Sequence, residues 1–300
     1  MKILKYLRKP KLVLLRLAAT GRIHINDELF LKIQFKERMK EKLNLDLPKT
    51  FNEKLQWLKI HDRNPEYTEM VDKYEAKKHV ADIIGEKYII PTLGVYDKFD
   101  EIDFDELPNR FVIKCTHDSG GLVICKDKSS FDIVTAKKKI EKSLKRNFYY
   151  AGREWPYKNV KPRIIIEKYM ANDEEVLGLT DYKVMCFNGK AKIIFTCTER
   201  FSAGLKVTFF DLDWHKLPFE RHYPSSNKNI LKPKCLDEMI ELSEKMSKDI
   251  PFVRIDWYEV GNELYFGEYT FYPGNGMEEF TPTEWDERLG DMIDLGSVEK

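Results

Sequence analysis

FVRIDWYEVGNELYFGEYTFYPGNGMEEF, residues 252–280, carries two β-rich runs on either side of Gly261-Asn262, the composition of a hairpin. With the hairpin centred on Asn262, Asp256 falls opposite Glu268 and Arg254 opposite Thr270. All four then share one sheet face, because side chains alternate along a strand. Two facing carboxylates beside a polyphosphate make a site for Mg2+, which takes oxygen ligands and keeps water and phosphate in its shell. A conflict sits inside this reading. A two-residue Gly-Asn loop sets the register one residue away and turns Asp256 and Glu268 to opposite faces. The shared face therefore requires a loop of odd length or a β-bulge. The plain alternative is a pair of sandwich strands with solvated acids and an ordinary turn at Pro273-Gly274-Asn275-Gly276.

Working upstream, the chain stays β-rich back to Arg163. IIIEKYM (164–170), DYKVMCF (181–187), KAKIIFTCT (190–198) and LKVTFF (205–210) all read as strands, and Asn188-Gly189 is a strong hairpin signal. PKCLDEMIELSEKMSKD (233–249) has helical spacing, with Leu236, Met239, Ile240, Leu242 and Met246 inward. Residues 1–80 read as mostly helical. Thr50 and Glu53 have capping-box spacing ahead of Phe51, Leu55 and Leu58. One helix is expected from near Tyr67 through Val71, Tyr74, Ala76 and Val80 to Gly85. Helices, a mixed middle and an antiparallel sheet with an inserted helix give an α+β plan.

RFVIKCTHDSGGLVIC (110–125) delivers Lys114 at the end of a short apolar strand and then turns through Thr116-His117-Asp118-Ser119-Gly120-Gly121. Glycines let backbone N–H groups approach a polyphosphate, and a lysine holds phosphate as a point charge. The lysine precedes the glycines, so this is no Walker A loop. A plain glycine hairpin with a surface lysine fits the same residues. In IIIEKYM a buried strand ends in Glu167-Lys168-Tyr169-Met170, where exposed backbone beside apolar walls suits the edge of a purine.

The 300 residues carry 34% charged and 42% hydrophobic side chains, which excludes a disordered chain and leaves room for about two domains. Lys plus Arg total 51 against 50 acids, a balance unlike that of a dedicated nucleic-acid binder. Cys115, Cys125, Cys186, Cys197 and Cys235 contain no C-x-x-C pair, so a disulfide framework and a structural zinc site are not expected, and a reducing cytoplasm fits. In residues 1–22, the apolar run Leu12 to Leu15 is too short to span a bilayer, and Arg16 interrupts it. That basic, leucine-rich segment reads either as a helix on an anionic membrane surface, at the inner face of the membrane, or as an ordinary helix packed on the domain.

Taken in order, KTFNEKLQWLKIHD (49–62), VDKYEAKKHVADIIGEKYIIPTLGVYD (71–97), FVIKCTHDSGG (111–121), DYKVMCFNGK (181–190) and RIDWYEVGNELYFGEYTFYPGNG (254–276) resemble the ATP-grasp superfamily, in particular its TupA-like branch associated with teichuronopeptide and capsular polysaccharide synthesis. The resemblance implies two α+β subdomains clasping ATP. It divides the chain into a helical extension (1–65), a small subdomain with the glycine loop (66–162), a large subdomain with the metal site (163–285) and a tail (286–300). It implies that Lys73 and Lys114 reach the phosphates, that Ser119, Gly120 and Gly121 close over them, and that Glu167, Lys168, Tyr169 and Met170 surround adenine. Glu174 or Glu175 touches the ribose. Asp256 and Glu268 hold Mg2+, Arg254 stabilises the transferring phosphate, and Lys183, with Asp181, lies near the substrate. Many members carry Glu-x-Asn before the Pro-Gly turn. This chain has Thr270 there, which weakens a second metal position, and Asn275 is a candidate substitute.

The implied reaction is an ADP-forming carboxylate–amine ligation through an acylphosphate, with an acidic acceptor such as a uronic-acid glycan and an amine donor. No enzyme nucleophile is needed, and Cys115 reads as core. Two other functions stay open: a glycosyltransferase or other sugar-modifying transferase of polysaccharide biosynthesis, for which Asp211-Leu212-Asp213 is a D-x-D cue, and a nucleotide-binding partner without catalysis.

Overall fold

The computed structural model describes residues 10–170, 181–198 and 204–298. Helices α1 (Pro10–Ala18), α2 (Asp27–Met39) and α3 (Phe51–His61) open the chain. Thr50 caps α3 through a capping box with Glu53, and Phe51, Leu55 and Leu58 are buried along it.

The single helix expected from Tyr67 to Gly85 is two helices, α4 (Glu66–Val71) and α5 (Glu75–Ile84). The break is at Asp72, whose backbone is extended (φ −72°, ψ 114°). Asp72 accepts a hydrogen bond from the Tyr74 N–H at 2.9 Å and pairs with Arg163 at 2.8 Å. Lys73 donates its backbone N–H to the Thr116 carbonyl at 3.1 Å. A side chain that offers the backbone an alternative partner ends a helix, and here the ending swings Lys73 toward the glycine loop.

A four-stranded antiparallel sheet follows, in the order β1 (Thr92–Tyr96), β4 (Ile164–Lys168), β2 (Phe111–Cys115), β3 (Leu122–Cys125). Residues just beyond position 163 thus pair back into the sheet of the first half, because the apolar Ile164–Ile166 run fits between β1 and β2. Helix α6 (Ile133–Leu144) covers this sheet, and Phe111, Ile113, Ala136, Ile140, Ile164 and Ile166 make a small core of their own. A short helix, α7 (Tyr149–Gly152), leads back to β4.

The second sheet has five antiparallel strands in the order β10 (Glu263–Thr270), β9 (Phe252–Val260), β5 (Asp181–Phe187), β6 (Lys190–Thr198), β7 (Lys206–Phe210). Asn188 and Gly189, at φ 49° and 75°, turn β5 into β6. A two-stranded ribbon, β8 (Glu220–Arg221) with β11 (Phe280–Thr281), lies beside β7. Helix α8 (Leu236–Met246) packs on one face of the large sheet with Leu236, Met239, Leu242 and Met246 inward, as its spacing predicts, and Ser243 accepts the Trp257 indole N–H at 2.9 Å. Helix α9 (Glu284–Asp291) packs on α3. The other face of the large sheet packs on α3 through Phe51 against Phe187 and Phe252, and at its β10 edge Glu268 faces Lys73 of the first half.

Candidate active site

The conflict within residues 252–280 resolves by both features being present. Val260 and Glu263 pair across a two-residue turn, in which Gly261 and Asn262 take φ 61° and 66°. That register alone would separate the two acids. A β-bulge at Gly267 then inserts one residue, and beyond it Glu268 pairs with Asp256 and Thr270 with Arg254. A Cβ at Gly267 would stand 3.0 Å from the Asp256 carbonyl oxygen, so the bulge wants a residue without one.

The pairing continues across the sheet. Asp256 opposes Lys183, Lys183 opposes Phe195, and Phe195 opposes Phe209. One row across five strands therefore runs Glu268, Asp256, Lys183, Phe195, Phe209, from charged to apolar. Asp256 is buried, and Arg254 grips it with Nε at 2.6 Å and Nη2 at 2.7 Å. Lys183 bonds the same carboxylate from the other side and lies 3.6 Å from Asp181. Burial opposes ionisation of all three groups, but the mutual charges win: Asp256 is held below the usual carboxylate range and Lys183 and Arg254 above their ordinary values. The Arg254 Nη2 also reaches Glu268 Oε1 at 3.3 Å, and the Thr270 hydroxyl is 3.5 Å from that oxygen.

The facing wall carries lysines. Lys114 pairs with Glu167 Oε2 at 2.5 Å. Lys77, on α5 and four residues beyond Lys73, pairs with Oε1 of the same carboxylate at 2.6 Å and donates to the Ile90 carbonyl at 2.6 Å. Burial alone would raise the Glu167 carboxyl, but the two ammonium groups hold it at about 2. Lys114 is raised against the pull of burial, mostly by Glu167 and further by the fields of Glu268 and Asp181 across the cleft. Lys73 closes the gap directly: its Nζ is 4.0 Å from Glu268 Oε2 and donates to the Asp118 carbonyl at 2.6 Å.

The glycine loop is ordered from within. The Asp118 carboxylate accepts the N–H groups of Gly120 (3.2 Å) and Gly121 (2.9 Å) and bonds the Ser143 hydroxyl. Ser119 and Gly120 are exposed at its tip, while Gly121 is buried, where a Cβ would stand 2.5 Å from the Cys115 sulfur. Burial pushes the Cys115 thiol up to about 12, so it is core and no nucleophile. At the end of β4, Lys168 is exposed, Tyr169 and Met170 are half-buried, and the Lys168 N–H bonds the Pro91 carbonyl at 3.0 Å. Glu174 and Glu175 lie outside the described residues.

Asn275 is not placed to substitute at the metal position. Its Oδ1 accepts from Lys59 Nζ at 2.6 Å and its Nδ2 donates to Gln34 at 3.3 Å. Asp211-Leu212-Asp213 caps an exposed turn: Asp211 Oδ1 accepts the N–H groups of Asp213 (3.0 Å) and His215 (2.7 Å). Asp211, Asp213 and His215 cluster closely enough to hold a cation, but exposed acids often cluster so without one.

Sequence reasoning missed three groups. Lys77 was signalled by its i+4 spacing from Lys73. Lys59 and Glu154, both buried and both driven toward neutrality by that burial, had no local signal. Neither had Arg221, on β8, which is only 6% exposed.

Two antiparallel sheets facing each other across a cleft of lysines and carboxylates define an ATP-grasp protein. The chain belongs to the TupA-like ATP-grasp family, whose model matches residues 53–294. No curated protein matches it. Among solved structures it is similar to D-alanine–D-alanine ligase from Bacillus anthracis complexed with ATP (17% identity, 75% of this chain and 63% of that one, TM-score 0.43). It is also similar to D-alanine–D-alanine ligase from Helicobacter pylori (14%, 75% and 61%, TM-score 0.42). A third is D-alanyl-alanine synthetase A from Vibrio cholerae (12%, 82% and 64%, TM-score 0.45). The chain spans less than two thirds of each of these proteins, and the family assignment stands on the match over 53–294.

Proposed function

We propose that this protein is an ADP-forming ligase that joins a carboxylate to an amine. The observation that carries the reading is the single row Glu268–Asp256–Lys183, with Arg254 beside it and Lys73 4.0 Å from Glu268 on the opposite wall. Lys73 and Lys114 hold the phosphates of ATP under the loop Ser119–Gly121, and the backbone around Glu167, Lys168, Tyr169 and Met170 takes the adenine. Glu175 is assigned to the ribose.

A carboxylate oxygen of the acid attacks the γ-phosphorus, and the bond from that phosphorus to the β-phosphate oxygen breaks, giving an acylphosphate and ADP. The amine then attacks the acyl carbon, phosphate leaves, and the nitrogen loses its proton. The first step brings anion to anion. Lys73, Lys114, Lys183 and Arg254 offset that repulsion by position and fixed charge, in a site where they need no reorganisation.

The donor set suits Mg2+: two carboxylates and a hydroxyl are hard oxygen ligands. A cation already bridges the two acids, since Arg254 Nη2 lies 2.7 Å from Asp256 and 3.3 Å from Glu268. Asp256, Glu268 and Thr270 would hold the ion, which supplies further charge neutralisation at the triphosphate.

For the substrates, this reading takes a uronic-acid unit of a surface or capsular polysaccharide as the acid and an amino acid as the amine. Among the described residues no helix is long and apolar enough to cross a membrane. Residues 1–22 would rest on the inner membrane face; within them α1 leaves Val13 and Leu14 exposed. The test is a scan of acid and amine pairs for ADP and phosphate release, with Lys114→Ala and Glu268→Ala as controls. Release that requires both partners supports the ligase. AMP as product, or turnover indifferent to acid and amine, sinks it.

A further inference from the structure

The row of residues that begins at Glu268 ends on two phenylalanines, and a second arginine stands over them. The Arg221 guanidinium carbon is 5.3 Å from the Phe195 ring centre and 5.6 Å from that of Phe209. The Arg254 guanidinium lies over the same Phe195 ring at 5.7 Å. The two arginines differ in how they are satisfied. Arg254 is engaged by Asp256 and Glu268. Arg221 is more than nine-tenths buried, and its Nε and Nη1 have no hydrogen-bond partner. Its counter-charge is Glu278, whose Oε2 is 3.0 Å from Nε yet out of line for a hydrogen bond. Burial pushes the Arg221 charge down, Glu278 opposes that, and Arg254 adds to it.

A buried guanidinium with unmet donors is unfavourable, and a planar oxyanion is the ligand that meets two of them at once. The apolar floor strengthens such a contact by lowering the local dielectric. We propose that Arg221 and Arg254 form an anion subsite above Phe195 and Phe209 that receives the carboxylate of the acid substrate. This inference rests on the ligase reading and deepens it. Lys183 adjoins Phe195 in the same row and Asp256 stands one strand beyond it, so a carboxylate there lies beside the groups assigned to the phosphates. Arg221 thus fixes which end of the cleft the acid enters.

The experiment compares full-length wild type with Arg221→Gln and with the double variant Arg221→Met/Glu278→Gln, which removes the buried pair together and guards against a folding defect. Each is titrated by calorimetry with acetate, succinate and glucuronate, in the presence and absence of Mg–AMP-PNP, and separately with inorganic phosphate. Loss of a charge-assisted contact should weaken carboxylate binding about ten- to a hundredfold in both variants. The affinity for Mg–AMP-PNP should stay within about twofold, since Arg221 makes no contact assigned to the nucleotide. Unchanged carboxylate affinity in folded Arg221→Gln overturns the subsite. So does an equal loss of nucleotide affinity, or a preference for inorganic phosphate that depends on Arg221. Wild type that binds Mg–AMP-PNP but none of the carboxylates overturns the subsite while leaving the nucleotide site standing. Wild type that fails to bind Mg–AMP-PNP refutes the ligase reading beneath it.

Discussion

Replacing Glu167 by glutamine should leave its shape and remove the buried charge that two half-buried lysines share. In the wild type each carboxylate oxygen takes one ammonium group, Lys114 at 2.5 Å and Lys77 at 2.6 Å. The amide offers one acceptor and turns an NH2 group toward the other lysine, so a donor faces a donor. Breaking a buried ion pair from one side costs about 3–5 kcal/mol. A second route gives a similar size. The fall of the Glu167 carboxyl from an ordinary 4.5 to about 2 is worth about 3 kcal/mol at 1.36 kcal/mol per pH unit. The sign follows from the depressed value. The unfolded chain binds the proton first, so this stabilisation is complete above about pH 4.5 and fades as pH falls toward about 2. Urea unfolding from pH 6 down to 3 should therefore show a steeper loss in wild type than in Glu167→Gln, with the two curves converging at the acid end. Curves that stay parallel across that window, or a variant as stable as wild type at pH 6, would refute the shared-carboxylate argument.

Three further outcomes are expected. Lys114→Met and Lys183→Met should each lower kcat about 10²–10³-fold in the acid- and amine-dependent phosphate assay, the usual size for a lost preorganised charge. Thr270→Asn should tighten the dependence on Mg2+, because an amide oxygen replaces a weaker hydroxyl next to Glu268, read as a lower Mg2+ concentration for half-maximal nucleotide binding. Lys59→Met should destabilise by about 1–3 kcal/mol, because the Gln56 and Asn275 oxygens that its amine bonds lose their donor; a thermal melt against wild type checks it.

The parts of this fold that could be read along the chain are those whose cause is local. Both two-residue turns sit where Asn188-Gly189 and Gly261-Asn262 stand, because positive φ at those positions suits asparagine and glycine. Thr50 and Glu53 cap α3 by contacts three residues apart. The hairpin also showed that one extra residue was needed for Asp256 and Glu268 to share a face, but not that Gly267 supplies it, since a bulge depends on the approach of the partner strand. Where the cause lies far away the sequence was silent. The helix break at Asp72 depends on Arg163, and Asn275 is claimed by Lys59, so neither its position nor its loss as a metal ligand had a nearby signal. The cleft residues Lys73, Lys114, Lys183, Arg254, Asp256 and Glu268 were legible as an ordered set of motifs. Arg221 was not, because a lone arginine in a two-residue strand looks the same on the surface or under it.

Lys73 is tethered twice to the segment it faces, by its own N–H to the Thr116 carbonyl and by its amine to the Asp118 carbonyl. A triphosphate that draws this amine away must take it from the loop's own backbone, and Asp118 is the residue whose side chain gathers the glycines. On the proposed site, phosphate binding and reshaping of the glycine loop are then one event with one free-energy change. Under the ligase reading, nucleotide affinity is accordingly a property of how firmly the empty loop keeps its lysine, and mutations that loosen that grip tighten binding without touching the ligand.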